Sequence, residues 1–331
     1  MKMRYDDGLL PTAAALVYVL VMYIGGFALL LDAQWWSWPL GVLAVAHAMV
    51  IASYMIHECA HGAVFMKSQH NALLGRALLW INGASYGDYE AIKHKHMRHH
   101  FDRADVIAID YREILQRHPL LSKLIVTLER IYIPAIDCLM HALVIILPFT
   151  DERYRAQRKR VLISLCARSS LLLALALYSW MAFAGYIVAY LLFEVVLRTM
   201  DMHQHTYEVF INLDQQRDAV KFDKACRDKN YEQRNTYSNP LGKGLLANWL
   251  VLNFGFHNAH HEKPSAPWYR LPAIDHELNY AEQEFDFTDV LRSYHQHRLT
   301  RVLNTDHGDT KNIADGIGFV GVLGVSFLTA I

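Results

Sequence analysis

Pro11–Leu31 runs for 21 residues without a charge. As a helix it rises about 32 Å, enough to cross the roughly 30 Å hydrocarbon core of a bilayer. Inside lipid every backbone polar group must be satisfied within the protein, so spanning runs of this kind are confined to helices or closed barrels. The run is too long for a signal-peptide core, and Asp6-Asp7 stand where such a peptide would be basic, so it reads as a span. A short link carrying Trp35, Trp36 and Trp38 suits the membrane–water interface. Pro39–Ile56 is a second apolar run, and it contains His47. Val161–Thr199 then offers 39 mostly apolar residues, enough for a tight pair of helices turning near Ala182–Gly185. Arg168 falls about 10 Å inside that stretch, where its long stem would let it snorkel. The expected spans are 11–31, 39–56, 161–181 and 184–199.

The rest of the chain is polar or amphipathic. Ala72–Gly83 is apolar but too short to span, and Leu120–Phe149 mixes apolar residues with Lys123, Glu129, Arg130, Asp137 and His141. Both read as interfacial, the second as one or two helices. Gly316–Ile331 is too short for a confident span and reads as packing or interface. The segment 57–160 carries 15 Lys and Arg and 198–331 carries 14, while the two short links between spans carry none. By the positive-inside rule both termini and the three histidine clusters, at 57–61, 96–100 and 257–261, face the cytoplasm. The expectation is one all-α, multi-pass membrane domain over 1–331. It has about four transmembrane helices and a cytoplasmic helical cap formed by 57–160 and 200–331. A formal net charge of zero gives no reason to expect nucleic acid. The four cysteines, Cys59, Cys138, Cys166 and Cys226, form no CxxC pair and no zinc pattern.

Three histidine boxes lie in the predicted cap: His57-Glu58-Cys59-Ala60-His61, His96-Met97-Arg98-His99-His100 and His257-Asn258-Ala259-His260-His261. Offsets of i, i+3 and i+4 put the rings on one helix face. With 19 histidines in 331 residues, HxxxH is expected about once by chance and HxxHH only about 0.06 times, so the pair of HxxHH boxes is the strong signal. Eight histidines exceed what one metal uses, since tetrahedral zinc takes four ligands. Adjacent pairs such as His99-His100 point about 100° apart on a helix, which suits two metals. All-nitrogen sites beside a membrane fit iron and oxygen chemistry on an apolar substrate, because no side chain removes hydrogen from an unactivated alkyl chain.

In this order and topology HECAH, HMRHH and HNAHH resemble the membrane fatty acid desaturase superfamily. The stretch Phe256–Pro264, continuing through Pro267-Trp268-Tyr269-Arg270-Leu271-Pro272, resembles the third box of bacterial acyl desaturases. The likeness covers roughly 40–275. It implies a di-iron centre (Fe2+/Fe3+) that uses O₂ and two electrons to oxidise a C–H bond of a fatty acyl chain. Desaturation is the leading expectation, with hydroxylation or decarboxylation to a terminal alkene on the same chassis as alternatives. The ligands it implies are His57, His61, His96, His99, His100, His257, His260 and His261. A ninth is His205, because the family's Asn/His pair after the fourth span falls on Asp201 and His205 here. Asp201, Glu58, His94 and Asn258 are expected as outer partners. Glu194, Arg198, Asp201 and His205 would form one polar stripe on a continuous helix, with Glu194 and Arg198 paired and His203 facing away. No haem-attachment, cytochrome-b5-like or rubredoxin-like motif is present, so electrons are expected from a separate ferredoxin, rubredoxin or cytochrome.

Other classes fit less of the chain. HECAH also matches HExxH of zinc metalloproteases, with Glu58 as general base, but that leaves both HxxHH boxes unexplained. A metal transporter would place its ligands at mid-membrane depth. Gly316-Ile317-Gly318-Phe319-Val320-Gly321 matches GxGxxG, yet only ten residues follow, too few for a dinucleotide-binding unit. His47 and His141 read as hydrogen-bonded structural histidines, and His276, His295, His297 and His307 as solvated.

Overall fold

The computed structural model describes residues 1–331 except 33, 206, 208–209, 214–228, 243, 280–283, 285 and 304–326. The GxGxxG stretch, His307 and Cys226 lie outside the described residues. Helix follows helix: α1 (Leu9–Asp32), α2 (Ser37–Ala60), α3 (Ser68–Ile81), α4 (Tyr89–Asp102), α5 (Tyr111–Arg117), α6 (Pro119–Arg130), α7 (Ala135–Thr150), α8 (Arg158–Tyr178), α9 (Trp180–Asp201), α10 (Lys229–Arg234), α11 (Leu245–Trp249), α12 (His257–Glu262), α13 (Leu271–Leu278) and α14 (Phe287–Leu303). Among the described residues the only sheet pairs β1 (Asp105–Ile107) with β2 (Phe210–Asn212) in parallel. Four helices are long and apolar enough to cross a membrane: α1, α2, α9, and α8 with the 3₁₀ turn before it (Glu152–Tyr178). The protein is an all-α membrane protein with four candidate spans.

The chain divides into two compact units, with boundaries inside α4, α7 and α9. Unit 1 comprises Met1–Ile92, His141–Val196 and Leu328–Ile331. In it α1 packs on α2 through small residues. A Cβ on Gly26 would stand 2.7 Å from Val45 Cγ2, and one on Gly41 would stand 2.8 Å from the Gly26 carbonyl oxygen. Backbones approach this closely in lipid only where side chains are absent. Gly185 serves the same end, since its Cβ would meet Leu30 at 2.5 Å and Trp38 at 3.0 Å. The turn between the last two spans is therefore not at Ala182–Gly185. It comes at Ser179, whose extended backbone (φ −152°, ψ 101°) separates α8 from α9. Gly185 is a packing residue inside α9. Trp35 and Trp36 are exposed on the link between α1 and α2.

Three polar side chains among the apolar helices of unit 1 find partners within it. Arg168 donates to the Trp80 carbonyl (3.1 Å) and to Tyr186 Oη (2.7 Å). His141 Nδ1 hydrogen-bonds Tyr86 and, at 3.2 Å, Tyr190, while its Nε2 lies 3.2 Å from Glu194 Oε1. His47 Nδ1 meets Tyr18 Oη at 2.6 Å. Both histidines are structural, as their apolar surroundings suggested. At the end of the chain Leu328, Thr329 and Ala330 are buried, and the Ala330 carbonyl accepts from Asp88 N.

Unit 2 comprises Lys93–Met140 and Leu197–Phe327. Its centre is ionic as well as apolar. Arg198 donates to both oxygens of Glu129 (2.8 and 3.1 Å) and pairs with Asp137, with all three side chains at most 3% exposed. Arg198 is thus not the partner of Glu194, although the two are i, i+4 neighbours. Tertiary partners outcompete the local pair, which would be worth only a few tenths of a kcal/mol on a helix surface. Leu120–Phe149 resolves into two helices, α6 and α7. α14 lies against α6, with Arg298 3.7 Å over the Tyr132 ring and His295 hydrogen-bonded to Tyr132. His295 is exposed, as expected, and also meets Tyr132.

Candidate metal centre

In unit 1, His57 and His61 stand one turn apart at the end of α2, ring centroids 4.7 Å apart. A left-handed glycine fixes where that helix stops. Gly62 (φ +65°) donates to the Cys59 carbonyl and Ala63 to the Glu58 carbonyl, the paired 5→2 and 6→1 bonds of a Schellman cap. HECAHG thus carries its own stop signal. Glu58 is buried, its Oε1 3.9 Å from His57 Nδ1.

Unit 2 carries the other seven predicted ligands. α4 presents His96, His99 and His100. α12 presents His257, His260 and His261, and is buried through Asn258 and Ala259 as well. His205 is not on α9, which ends at Asp201. It sits in an antiparallel bridge with Thr236, and Tyr237 N donates to the Gln204 carbonyl beside it. Asn258 Nδ2 donates to the Thr236 carbonyl at 2.6 Å, linking that bridge to α12.

These elements gather the seven rings into two sets. The Nε2 atoms of His99 and His205 are 3.0 Å apart, those of His205 and His257 2.8 Å, and those of His257 and His261 3.1 Å. The ligand nitrogens of all four lie within 4.8 Å of one another. In the second set His100 Nε2 is 3.2 Å from His96 Nε2 and 3.0 Å from His260 Nε2. Of the expected outer partners, Asn258 anchors α12, Asp201 ends α9 next to Lys95, and His94 is exposed. Burial pushes the Lys95 ammonium down to about 7, opposed by Asp201 and Asp137. His203 is buried and belongs to neither set.

The first set fits a cation. His99 Nδ1 hydrogen-bonds the Ala104 carbonyl (2.9 Å) and His261 Nδ1 the Glu232 carboxylate (2.9 Å). Each acceptor fixes the proton on Nδ1 and leaves a lone pair on Nε2. The inward-facing nitrogens therefore hold fewer protons than their mutual contacts need, and a metal ion would resolve this. Burial, and then the neighbouring histidines, hold His205 and His261 well below the usual histidine range, so both rings are neutral near pH 7. Neutral imidazoles backed by a carbonyl or a carboxylate are the usual state of metal-ligating histidines.

The model of the fatty acid desaturase family matches residues 33–288, well over half the chain. The chain belongs to the fatty acid desaturase family. Among curated proteins none matches it. The family indicates an oxygen-dependent, di-iron, fatty-acid-modifying oxidoreductase, with a fatty acyl substrate and an electron donor. The histidine sets could hold metal ions, and the four apolar helices suit an integral membrane protein. Sequence reasoning missed Glu232. Nothing near it in sequence marks it, because it lies 25 residues before the third box and meets His261 only through the packing of α10 on α12.

Proposed function

We propose that this desaturase-family protein introduces a double bond into a fatty acyl chain at a pair of irons held by nine histidines. His99, His205, His257 and His261 hold one iron. His96, His100 and His260 serve the other, and His57 and His61 join the ligand set on the strength of their box pattern. The observation that carries this is the convergence of Nε2 lone pairs in the first set, with two Nδ1 protons tied back to Ala104 and Glu232. All-nitrogen coordination next to apolar helices suits iron and oxygen chemistry on a hydrocarbon. When bound, the irons would supply the O₂-derived oxidising power that no side chain has.

The chain's own residues bind, orient and dry the site. α12 is buried along its whole histidine face, which keeps bulk water from the ligands. The Ala104 carbonyl and Glu232 hold two protons on Nδ1 atoms, aiming Nε2 inward. In the overall balance one –CH₂–CH₂– unit, one O₂, two electrons and two protons become one –CH=CH– unit and two waters. The electrons come from a separate ferredoxin, rubredoxin or cytochrome. Residues 1–331 form one membrane-embedded domain, with the histidine boxes and both termini on the cytoplasmic side, as the distribution of Lys and Arg supports.

Elemental analysis of detergent-purified protein tests this, paired with turnover after iron loading, since zinc competes well for nitrogen sites. Two irons per chain and turnover that requires an added reductant are expected. One zinc, no iron and peptide-bond cleavage would replace this function with the HExxH protease.

A further inference from the structure

Glu232 is the only carboxylate that falls within a group of metal-ligating side chains among the described residues. It lies on α10, 5% exposed, and three contacts fix it behind the third histidine box. Lys229 Nζ and Gln233 Nε2, which flank it on α10, donate to Glu262 at the end of α12 (2.9 and 3.0 Å). Thr236 Oγ1 donates to the Glu232 carbonyl at 2.7 Å. The carboxylate then has two partners, His261 Nδ1 on Oε1 at 2.9 Å and Arg103 Nε on Oε2 at 3.0 Å.

Its position decides between two roles. His261 turns Nε2 toward His257 and Nδ1 toward Glu232. The carboxylate therefore stands on the far side of the ring from the other ligand nitrogens, where it orients the imidazole and does not itself bind the metal. Arg103 reaches Glu232 from the residue immediately after α4, in a left-handed conformation (φ +51°). Arginine has no intrinsic preference for that region, which glycine adopts freely. A left-handed residue ends the helix here, and it aims the Arg103 side chain at Glu232.

We infer that Arg103–Glu232–His261 is a positioning chain: Glu232 holds the proton on His261 Nδ1 and increases the donor strength of Nε2, and Arg103, leaving α4 just after its histidine box, holds Glu232 in place. This rests on the metal-binding function proposed above. It couples the second and third boxes through a carboxylate that lies in neither.

The test uses the full chain in detergent, loaded with Co²⁺ as a spectroscopic probe and with Fe²⁺. Metal retention is followed against a chelator, and the melting temperature of the metal-free protein is measured in parallel. Glu232→Gln keeps the shape but removes the charge and the fixed acceptor. Arg103→Gly removes the ion pair and also relieves the left-handed strain. Both variants should lose metal at about 10–100-fold lower chelator concentration, with the cobalt absorption bands shifted. Relief of the left-handed conformation offsets part of the cost of leaving Glu232 without its cation, so the metal-free melting temperature of Arg103→Gly should fall by less than the lost metal affinity would require. Chelator midpoints equal to wild type in either folded variant would overturn the inference while leaving the metal site standing. So would losses that merely follow a lowered metal-free melting temperature. A wild-type chain that binds neither metal would overturn both the inference and the proposed function.

Discussion

Removing the buried guanidinium of Arg198 is the most severe single test of how unit 2 is held together. Arg198 neutralises two carboxylates, Glu129 and Asp137, and all three groups are essentially sealed from water. Arg198→Met keeps much of the volume but leaves two buried carboxylates with no cation between them. Breaking a buried pair in this way costs about 3–5 kcal/mol, because the surviving charge is uncompensated. At roughly 2–4 °C per kcal/mol, melting in detergent should fall by about 6–20 °C. Glu129 Oε1 also accepts from Ile136 N at 3.0 Å, so a glutamine there would keep that bond. The triple variant Arg198→Met/Glu129→Gln/Asp137→Asn should therefore recover most of the loss, since replacing a whole buried ionic group is often nearly neutral. Glu194→Gln should leave this network intact, because Glu194 meets His141 instead. A melting temperature within 2 °C of wild type for Arg198→Met, or a triple variant no better than the single one, would refute the reasoning.

Other outcomes follow from the same structure. His205→Ala should lower iron content and abolish turnover, while His203→Ala should keep most of its iron; elemental analysis of the two variants compares them directly. Gly41→Leu should destabilise unit 1 by about 1–3 kcal/mol or more, read as a lowered melting temperature, because its Cβ alone would meet Leu30 and the Gly26 carbonyl oxygen within 3 Å. Labelling of cysteines introduced at Trp36 and at Ser179 should occur from the outer side and at Leu120 from the inner side, with accessibility in sealed vesicles as the readout.

The spans were legible because uncharged runs such as Pro11–Leu31 have few alternatives in any fold. The turn between the last two was not, because Gly185 reads as a breaker, whereas its use is to admit Leu30 and Trp38. The boxes announced themselves by spacing, and unit 2 gathers six of their histidines, together with His205, into two sets. The polar stripe failed as geometry: the helix ends at Asp201, so His205 reaches His99 and His257 from a bridge with Thr236 and not from the helix face. Arg198 and Glu232 found partners tens of residues away, which no local period encodes.

Mass spectrometry of fatty acyl chains from a host expressing the protein bears most directly on what the site does. Desaturation requires a new acyl product two hydrogens lighter than its precursor, dependent on O₂ and absent with His257→Ala. A product heavier by one oxygen, a terminal alkene shortened by loss of the carboxyl carbon, or no new product from iron-loaded protein supplied with reductant would contradict it.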